Sequence, residues 1–203
     1  AYEMLRSLVG SEMCIRDRYI GHYKNIVDSK LCDSITAYSQ KSYTFAPSMY
    51  ATSTGTSARS SKRVSMMDCW IKSTDKYYEE IKLCYAETIK NYQKEHKDFK
   101  CERHTDFRLN KYGPGGFMSR HIDNIHHSHG QQYGHPQASI LLFLNDDYKG
   151  GDLIIGDNNY NTKKGDAIMF PSNFMFPHEV LEVESGTRYS TCLLYTSPSP
   201  RDS

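Results

Sequence analysis

From Cys101 onward the chain is a succession of short β-type runs separated by Gly, Asn and Pro, and this pattern constrains the fold more than any other feature. Arg103 to Tyr112 alternates in polarity, Ala138 to Leu144 is almost continuously apolar, and Asp152 to Ile155, Asp166 to Phe170, Val180 to Val183 and the segment from Arg188 follow closely. The first half reads differently. Leu31, Ile35 and Tyr38 recur at helical spacing behind Asp28 or Ser29 as N-cap, predicting a short helix over Asp28 to Gln40. Trp70, Tyr77, Ile81, Tyr85, Ile89 and Tyr92 mark one face of a second, longer helix between Ser65 and His96, a stripe suited to core packing. Residues 51–61 are small and polar and predict an exposed loop. Helices followed by many short strands predict an α+β, mainly β fold: a sandwich or barrel with the helices packed on one sheet.

Composition excludes several classes of function. The 203 residues carry a formal charge of +1, without the basic surplus that non-specific nucleic-acid binding requires. The longest apolar run, Ile140 to Leu144, is far short of the about twenty residues of a membrane helix. The two ends stand apart. Cys192 to Asp202 (CLLYTSPSPRD) back-translates to DNA resembling a sequencing-library adapter, and the reverse complement of that DNA encodes LVGSEMCIRD, found at Leu8 to Asp17. Residues 1–18 and 192–203 are therefore expected to be non-native, adapter-derived tails around a fragment of a longer protein. Residues 19–100 are expected to be a helical support region and 101–191 a β-rich core. The last strand of that core is expected to be cut near Thr191, or finished by Leu193, Leu194 and Tyr195. Cys32, Cys69, Cys84 and Cys101 show no paired spacing and are expected to be reduced, mostly buried thiols of a cytoplasmic protein.

One set of residues carries chemistry. His121-Ile122-Asp123 follows the glycine-rich turn Tyr112 to Gly116, and in extended backbone residues i and i+2 face the same side, so both side chains can reach one cation. His178, at the start of a later predicted strand, supplies a third ligand. Two histidines and a carboxylate leave open coordination positions, the arrangement of non-haem Fe(II) oxygenases. Arg188 can offer a bidentate guanidinium to a carboxylate, with Ser190 facing the same way two residues on.

These residues resemble the 2-oxoglutarate and Fe(II)-dependent dioxygenases of the prolyl 4-hydroxylase type. The resemblance runs from about Arg103 to Thr191, through LNKYGPGGFMSRHIDN, LLFLNDDYKGGDLII, KKGDAIMFPSNFMFPHEV and SGTRYST. It implies a double-stranded β-helix, or jelly roll. It also implies Fe(II) on His121, Asp123 and His178, the distal carboxylate of 2-oxoglutarate on Arg188 with Ser190, and another co-substrate oxygen on Tyr112. Many prolyl 4-hydroxylases carry Lys at the position of Arg188. The implied reaction consumes O2 and 2-oxoglutarate, hydroxylates a C–H bond, and releases succinate and CO2, with ascorbate as reductant by the same resemblance. A peptidyl prolyl or similar side chain, on a peptide, protein or small molecule, is the first expected substrate. No nucleic-acid or membrane partner is expected.

Other readings stand beside it. Taken singly, His121 reads as a surface histidine, Asp123 as a turn residue, Tyr112 as a core aromatic, and Arg188 as a partner of Glu184. A non-catalytic jelly roll sensing 2-oxoglutarate is the alternative function. His126, His127, His129 and His135 form a tract that could hold a second metal, though a substrate-facing loop with Asn124 and Tyr133 is the preferred reading. Gly150-Gly151 reads as a tight turn requiring positive φ.

Overall fold

A computed structural model describes residues 16–51, 57–58, 62–100, 102–123 and 135–197. Their strands are β1 (Gly21–Tyr23), β2 (Ala46–Pro47), β3 (Tyr50–Ala51), β4 (Ser57–Ala58), β5 (Val64–Ser65), β6 (Met67–Ile71), β7 (Arg103–His104), β8 (Phe107–Tyr112), β9 (Phe117–His121), β10 (His135–Phe143), β11 (Lys149–Gly150), β12 (Leu153–Ile155), β13 (Asn158–Tyr160), β14 (Ala167–Pro171), β15 (His178–Val180), β16 (Val183–Ser185) and β17 (Arg188–Ser197). The helices are α1 (Ser29–Ser42) and α2 (Tyr78–Glu95). A major antiparallel sheet runs β1-β14-β10-β17-β8-β6-β2, with β7 also on β17, and a minor sheet runs β13-β12-β15-β9-β5. This is the expected mainly β jelly roll.

Alternation sorts the major sheet into two faces. Phe107, Leu109, Ile140, Leu142, Met169 and Tyr189 pack against Cys32 and Ile35 of α1 and Ile81, Cys84, Tyr85 and Tyr92 of α2. Their neighbours Tyr112, Leu141, Phe143, Ile168 and Phe170 turn the other way, into a second core with Leu153, Ile155 and Val180 of the minor sheet. A buried polar tie joins helix to sheet, the Tyr85 hydroxyl donating to Thr191 Oγ1 at 2.7 Å. Cys32, Cys69 and Cys84 are free and buried, and burial pushes the first two thiols up to about 12, which makes them unreactive. Cys101 lies outside the described residues. No helix among the described residues is long and apolar enough to cross a membrane.

Several expectations hold in detail. Asp28 caps α1, its Oδ1 accepting from Lys30 N at 2.9 Å and Leu31 N at 3.3 Å. Gly150 and Gly151 have φ of 70° and 66°, and a Cβ on Gly150 would stand 2.4 Å from Glu182 O.

Others are corrected. The predicted helix over Ser65 to His96 begins only at Tyr78, because Met67–Ile71 pairs as a strand with β8 and buries alternate residues Cys69 and Ile71. Trp70 fitted the helical period by coincidence and is 48% exposed on that strand. Lys72 N donates to Asp75 Oδ2 at 2.7 Å in the turn between them, and Tyr77 gives the helix no side-chain cap, so its start carries no polar signature. Residues 19–100 are not purely helical, since β1, β2, β5 and β6 complete the edges of both sheets. Val180 to Val183 divides between β15 and β16, which pair in different sheets. For the last strand the second of the two expectations holds, completion by Leu193, Leu194 and Tyr195. It runs to Ser197 with Leu193 and Leu194 buried, pairing along β10. Of the loop expected over 51–61, Ala51 and Ser57–Ala58 pair as a short ladder, and residues 52–56 and 59–61 lie outside the described residues.

Asp166 anchors β1. Its almost buried Oδ2 accepts from Lys24 Nζ at 2.9 Å and Lys163 N at 2.9 Å, with His22 Nε2 at 3.0 Å. Burial, the largest influence, raises its pKa, but these partners together hold it below the ordinary carboxylate value. A depressed folded-state pKa contributes stability that is present above the unfolded value of about 4 and lost as pH falls through the folded one. Asp166→Asn is expected to cost about 1–3 kcal/mol in urea denaturation at pH 7. The gap from the parent should close below about pH 4, and a gap independent of pH would contradict this account.

Candidate active site

His121 ends β9 and His178 begins β15, and the two are direct cross-strand partners in the minor sheet. Their rings lie 4.2 Å apart between centroids. His121 Nδ1 lies 2.8 Å from Ser119 O and His178 Nδ1 lies 3.2 Å from Phe176 O. Each Nδ1–H donating to a carbonyl fixes the ring and leaves Nε2 for the site, the orientation metal-binding imidazoles need. Asp123, two residues past His121, receives both: His121 Nε2 is 3.5 Å from Oδ1 and His178 Nε2 is 3.4 Å from Oδ2. One ligand atom from each of the three lies within 4.8 Å of the others, so the set could close on one ion.

Electrostatics agrees with geometry. Burial, the largest influence, would raise the Asp123 pKa, but His178 and His121 hold it well below the usual range. At His121, burial lowers the pKa and the Asp123 carboxylate more than reverses that, leaving it raised.

Two hydroxyls that the sequence reading did not single out brace Asp123 from the opposite sheet. Ser139 Oγ on β10 donates to Asp123 Oδ2 at 2.6 Å, and Ser172 Oγ, just past β14, lies 2.9 Å from Ser139 Oγ. Both serines are buried. Ser139 is the one polar residue of the run Ala138 to Leu144, a mark that does not name its partner.

Arg188 opens β17 in register with Tyr112 on β8. It is 1% exposed, and its guanidinium lies over the rings of Tyr112 at 5.1 Å and Phe143 at 5.3 Å. Nη1 donates to Ser190 Oγ at 3.2 Å, while Nε and Nη2 are buried without partners. Among the described residues no carboxylate pairs with it, Glu184 included. The close approach depends on Gly151, where a Cβ would stand 3.2 Å from Arg188 Cδ. Tyr112 is buried against this cation, its pKa pushed up to about 12 by burial against the opposing pull of Arg188 and Arg108. A cavity of about 850 Å³ runs from the triad outward between the sheets, lined by Tyr112, Ser139, Arg108 and Trp70 among others. Arg188 does not line this cavity but lies against the ring of Tyr112, which does. Thus His121, Asp123 and His178 converge, Arg188, Ser190 and Tyr112 form an adjacent cluster, and Asn124, Tyr133 and the histidine tract of residues 126–135 fall outside the region whose side chains are described.

Residues 107–195 match the profile of the 2OG-Fe(II) oxygenase superfamily. A PKHD-type hydroxylase of Stenotrophomonas maltophilia is 34% identical over 92 residues, which are 41% of this chain and 40% of that protein. Another, of Delftia acidovorans, is 32% identical over the same length. The chain thus spans 40% of the length of these curated relatives. Among solved structures, a Pseudomonas putida prolyl-4-hydroxylase superposes with a TM-score of 0.69 at 16% identity, covering 89% of this chain and 94% of that one. A Trichoplax adhaerens prolyl hydroxylase, solved with a hypoxia inducible factor peptide fragment, superposes with a TM-score of 0.68 at 18% identity, covering 97% and 93%. Residues 107–195 are thus similar to the 2OG-Fe(II) oxygenase superfamily, and the chain shares its fold with the two prolyl hydroxylase structures.

Proposed function

We propose that the chain is an Fe(II)- and 2-oxoglutarate-dependent dioxygenase that hydroxylates a C–H bond, with His121, Asp123 and His178 holding the metal. The observation that carries this reading is the grouping of three ligand atoms within 4.8 Å of one another in a cavity whose Tyr112 wall is backed by a buried, underpaired arginine. Two imidazoles and a carboxylate are the donor set that suits Fe(II) with positions left open. A buried guanidinium with two unsatisfied nitrogens suits an anion, because an unpaired buried charge is costly. Arg188 with Ser190 is accordingly assigned the distal carboxylate of 2-oxoglutarate, and Tyr112 another co-substrate oxygen.

Bound iron would couple decarboxylation of 2-oxoglutarate by O2, giving succinate and CO2, to insertion of one oxygen atom into the substrate C–H bond. The chain's own residues do the positioning. Ser139, backed by Ser172, holds the Asp123 carboxylate, the carbonyls of Ser119 and Phe176 hold the two imidazoles, and the two apolar cores exclude water from the inner end. The catalytic core is assigned to residues 101–191 and its support to 19–100. A peptidyl prolyl or related side chain is the substrate class proposed first. It draws support from the Trichoplax adhaerens neighbour, whose structure holds a peptide fragment. The free, buried thiols favour a cytoplasmic location.

With Fe(II), ascorbate, O2 and a panel of proline-containing peptides, the protein is expected to convert 2-oxoglutarate to succinate. His121→Ala and Asp123→Ala should lower this at least about 100-fold, and Ser139→Ala should weaken metal affinity by about 10–100-fold in a Co(II) titration. Succinate formation that survives His121→Ala would overturn the assignment. Metal and 2-oxoglutarate binding without O2 consumption across the panel would favour a sensor instead.

Arg188→Met keeps the bulk of the side chain and removes the charge. It is expected to raise the 2-oxoglutarate Kd by about 30-fold or more, as for loss of a buried charge pair. An unchanged Kd would remove Arg188 from the co-substrate site.

A further inference from the structure

The inner face of the major sheet carries a second arginine that 2-oxoglutarate does not require. We propose that Arg108 recognises a carboxylate on the primary substrate, an inference that rests on the oxygenase reading above. Along β8, Phe107 and Leu109 face the helices while Arg108, Asn110 and Tyr112 face the cavity. Tyr112 pairs in register with Arg188, and Arg108 lies four residues back along the same strand, roughly 13 Å at the strand rise. Cys192, its partner on β17, is also four residues from Arg188, and Ser139, which holds Asp123, pairs with Leu194 two residues further on. Arg108 therefore lies four residues along the sheet from the Arg188 anchor, on the wall of the cavity that also holds the triad, and on β8 rather than on the β10 side where Ser139 holds Asp123.

The local bonding at Arg108 is incomplete. Nη1 lies 3.8 Å from Asp68 Oδ2, too long for a hydrogen bond, and Nε is buried without a partner. Asn110, next on the same face and 3% exposed, has an Oδ1 without a partner as well. Buried polar groups left unsatisfied are uncommon and costly, and here an unpartnered donor and an unpartnered acceptor belong to two neighbouring residues of one cavity wall. A carboxylate meeting the Nε side of the guanidinium would gain charge-assisted hydrogen bonds, and an adjacent N–H or O–H would satisfy Asn110. Trp70 is the cross-strand partner of Arg108, lines the same cavity and is 48% exposed, an apolar platform beside the cation. The ligand chemistry is thus a carboxylate on an apolar body with a neighbouring hydrogen-bond donor.

Trp70 is the sole tryptophan of the chain, so its fluorescence reads this site directly. The test is a titration of the Zn(II)-loaded protein under argon, with and without saturating 2-oxoglutarate, using benzoate and its uncharged counterpart benzamide. Benzoate is expected to shift the emission saturably, benzamide to bind at least about 10-fold more weakly, and Arg108→Gln to remove the difference. Equal responses to benzoate and benzamide in the parent protein would overturn the proposal without any variant. A benzoate response abolished by 2-oxoglutarate would also overturn it, by assigning the anion to Arg188. Absence of 2-oxoglutarate binding would fall on the oxygenase reading alone, because benzoate is read separately. N-acetylproline and an amidated peptide whose only carboxylate is an aspartyl side chain then distinguish an α-carboxylate from a side-chain carboxylate. A thermal melt of Arg108→Gln separates loss of the site from loss of the fold.

Discussion

The major sheet is buried on both faces, and the organisation of the molecule follows from that constraint. One face cannot be left wet, so α1 and α2 lie across it with their aromatic and aliphatic stripes on Phe107, Leu109, Ile140 and Tyr189. Strict alternation then turns every second residue toward the minor sheet, where Arg108, Asn110 and Ser139 line the cavity beside Tyr112 and Leu141, with Arg188 and Ser190 in register on β17. A shift of register by one residue would send the arginines into the helix-packed core and Leu109 into the cavity. The same hydrogen-bond ladder that builds the fold therefore sets the chemistry of the site.

The minor sheet contributes differently. Its strands β9 and β15 are short and bring His121 and His178 face to face, but neither strand supplies the carboxylate from within its own run. Asp123 lies just beyond β9, where a ladder no longer holds the backbone, and is fixed by Ser139 from the major sheet. The candidate metal centre thus spans both sheets, so loss of their mutual packing would separate the imidazoles from the group that orients the carboxylate.

What was legible in the chain beforehand divides along the same physical line. The spacing of His121 and Asp123, the placement of His178 at a strand start, and the pairing of Arg188 with Ser190 were readable because each depends on a period of two within extended backbone. Ser139 and Ser172 were not readable, because a single hydroxyl in an apolar strand gains meaning only from what faces it across the barrel. The strand at Met67–Ile71 was hidden for a related reason: short strands owe their state to a partner, here β8, and Trp70 happened to extend the helical stripe of α2. The missing cap at Tyr77 removed the one local mark that would have set the boundary.

The two inward-facing arginines differ in their surroundings, which is the physical ground for the different roles proposed for them. Arg188 is almost fully enclosed and rests on two aromatic faces, contacts worth about 0.5–2 kcal/mol each. That is less than the several kcal/mol lost in desolvating a charge, so the arrangement is complete only when an anion arrives. Arg108 keeps an acidic neighbour, Asp68, at 3.8 Å and retains some access to water, so its charge costs less and can wait for a weaker, exchangeable ligand. Under the proposed roles, the enclosed cation suits a tightly held co-substrate, and the less enclosed one suits a substrate that exchanges.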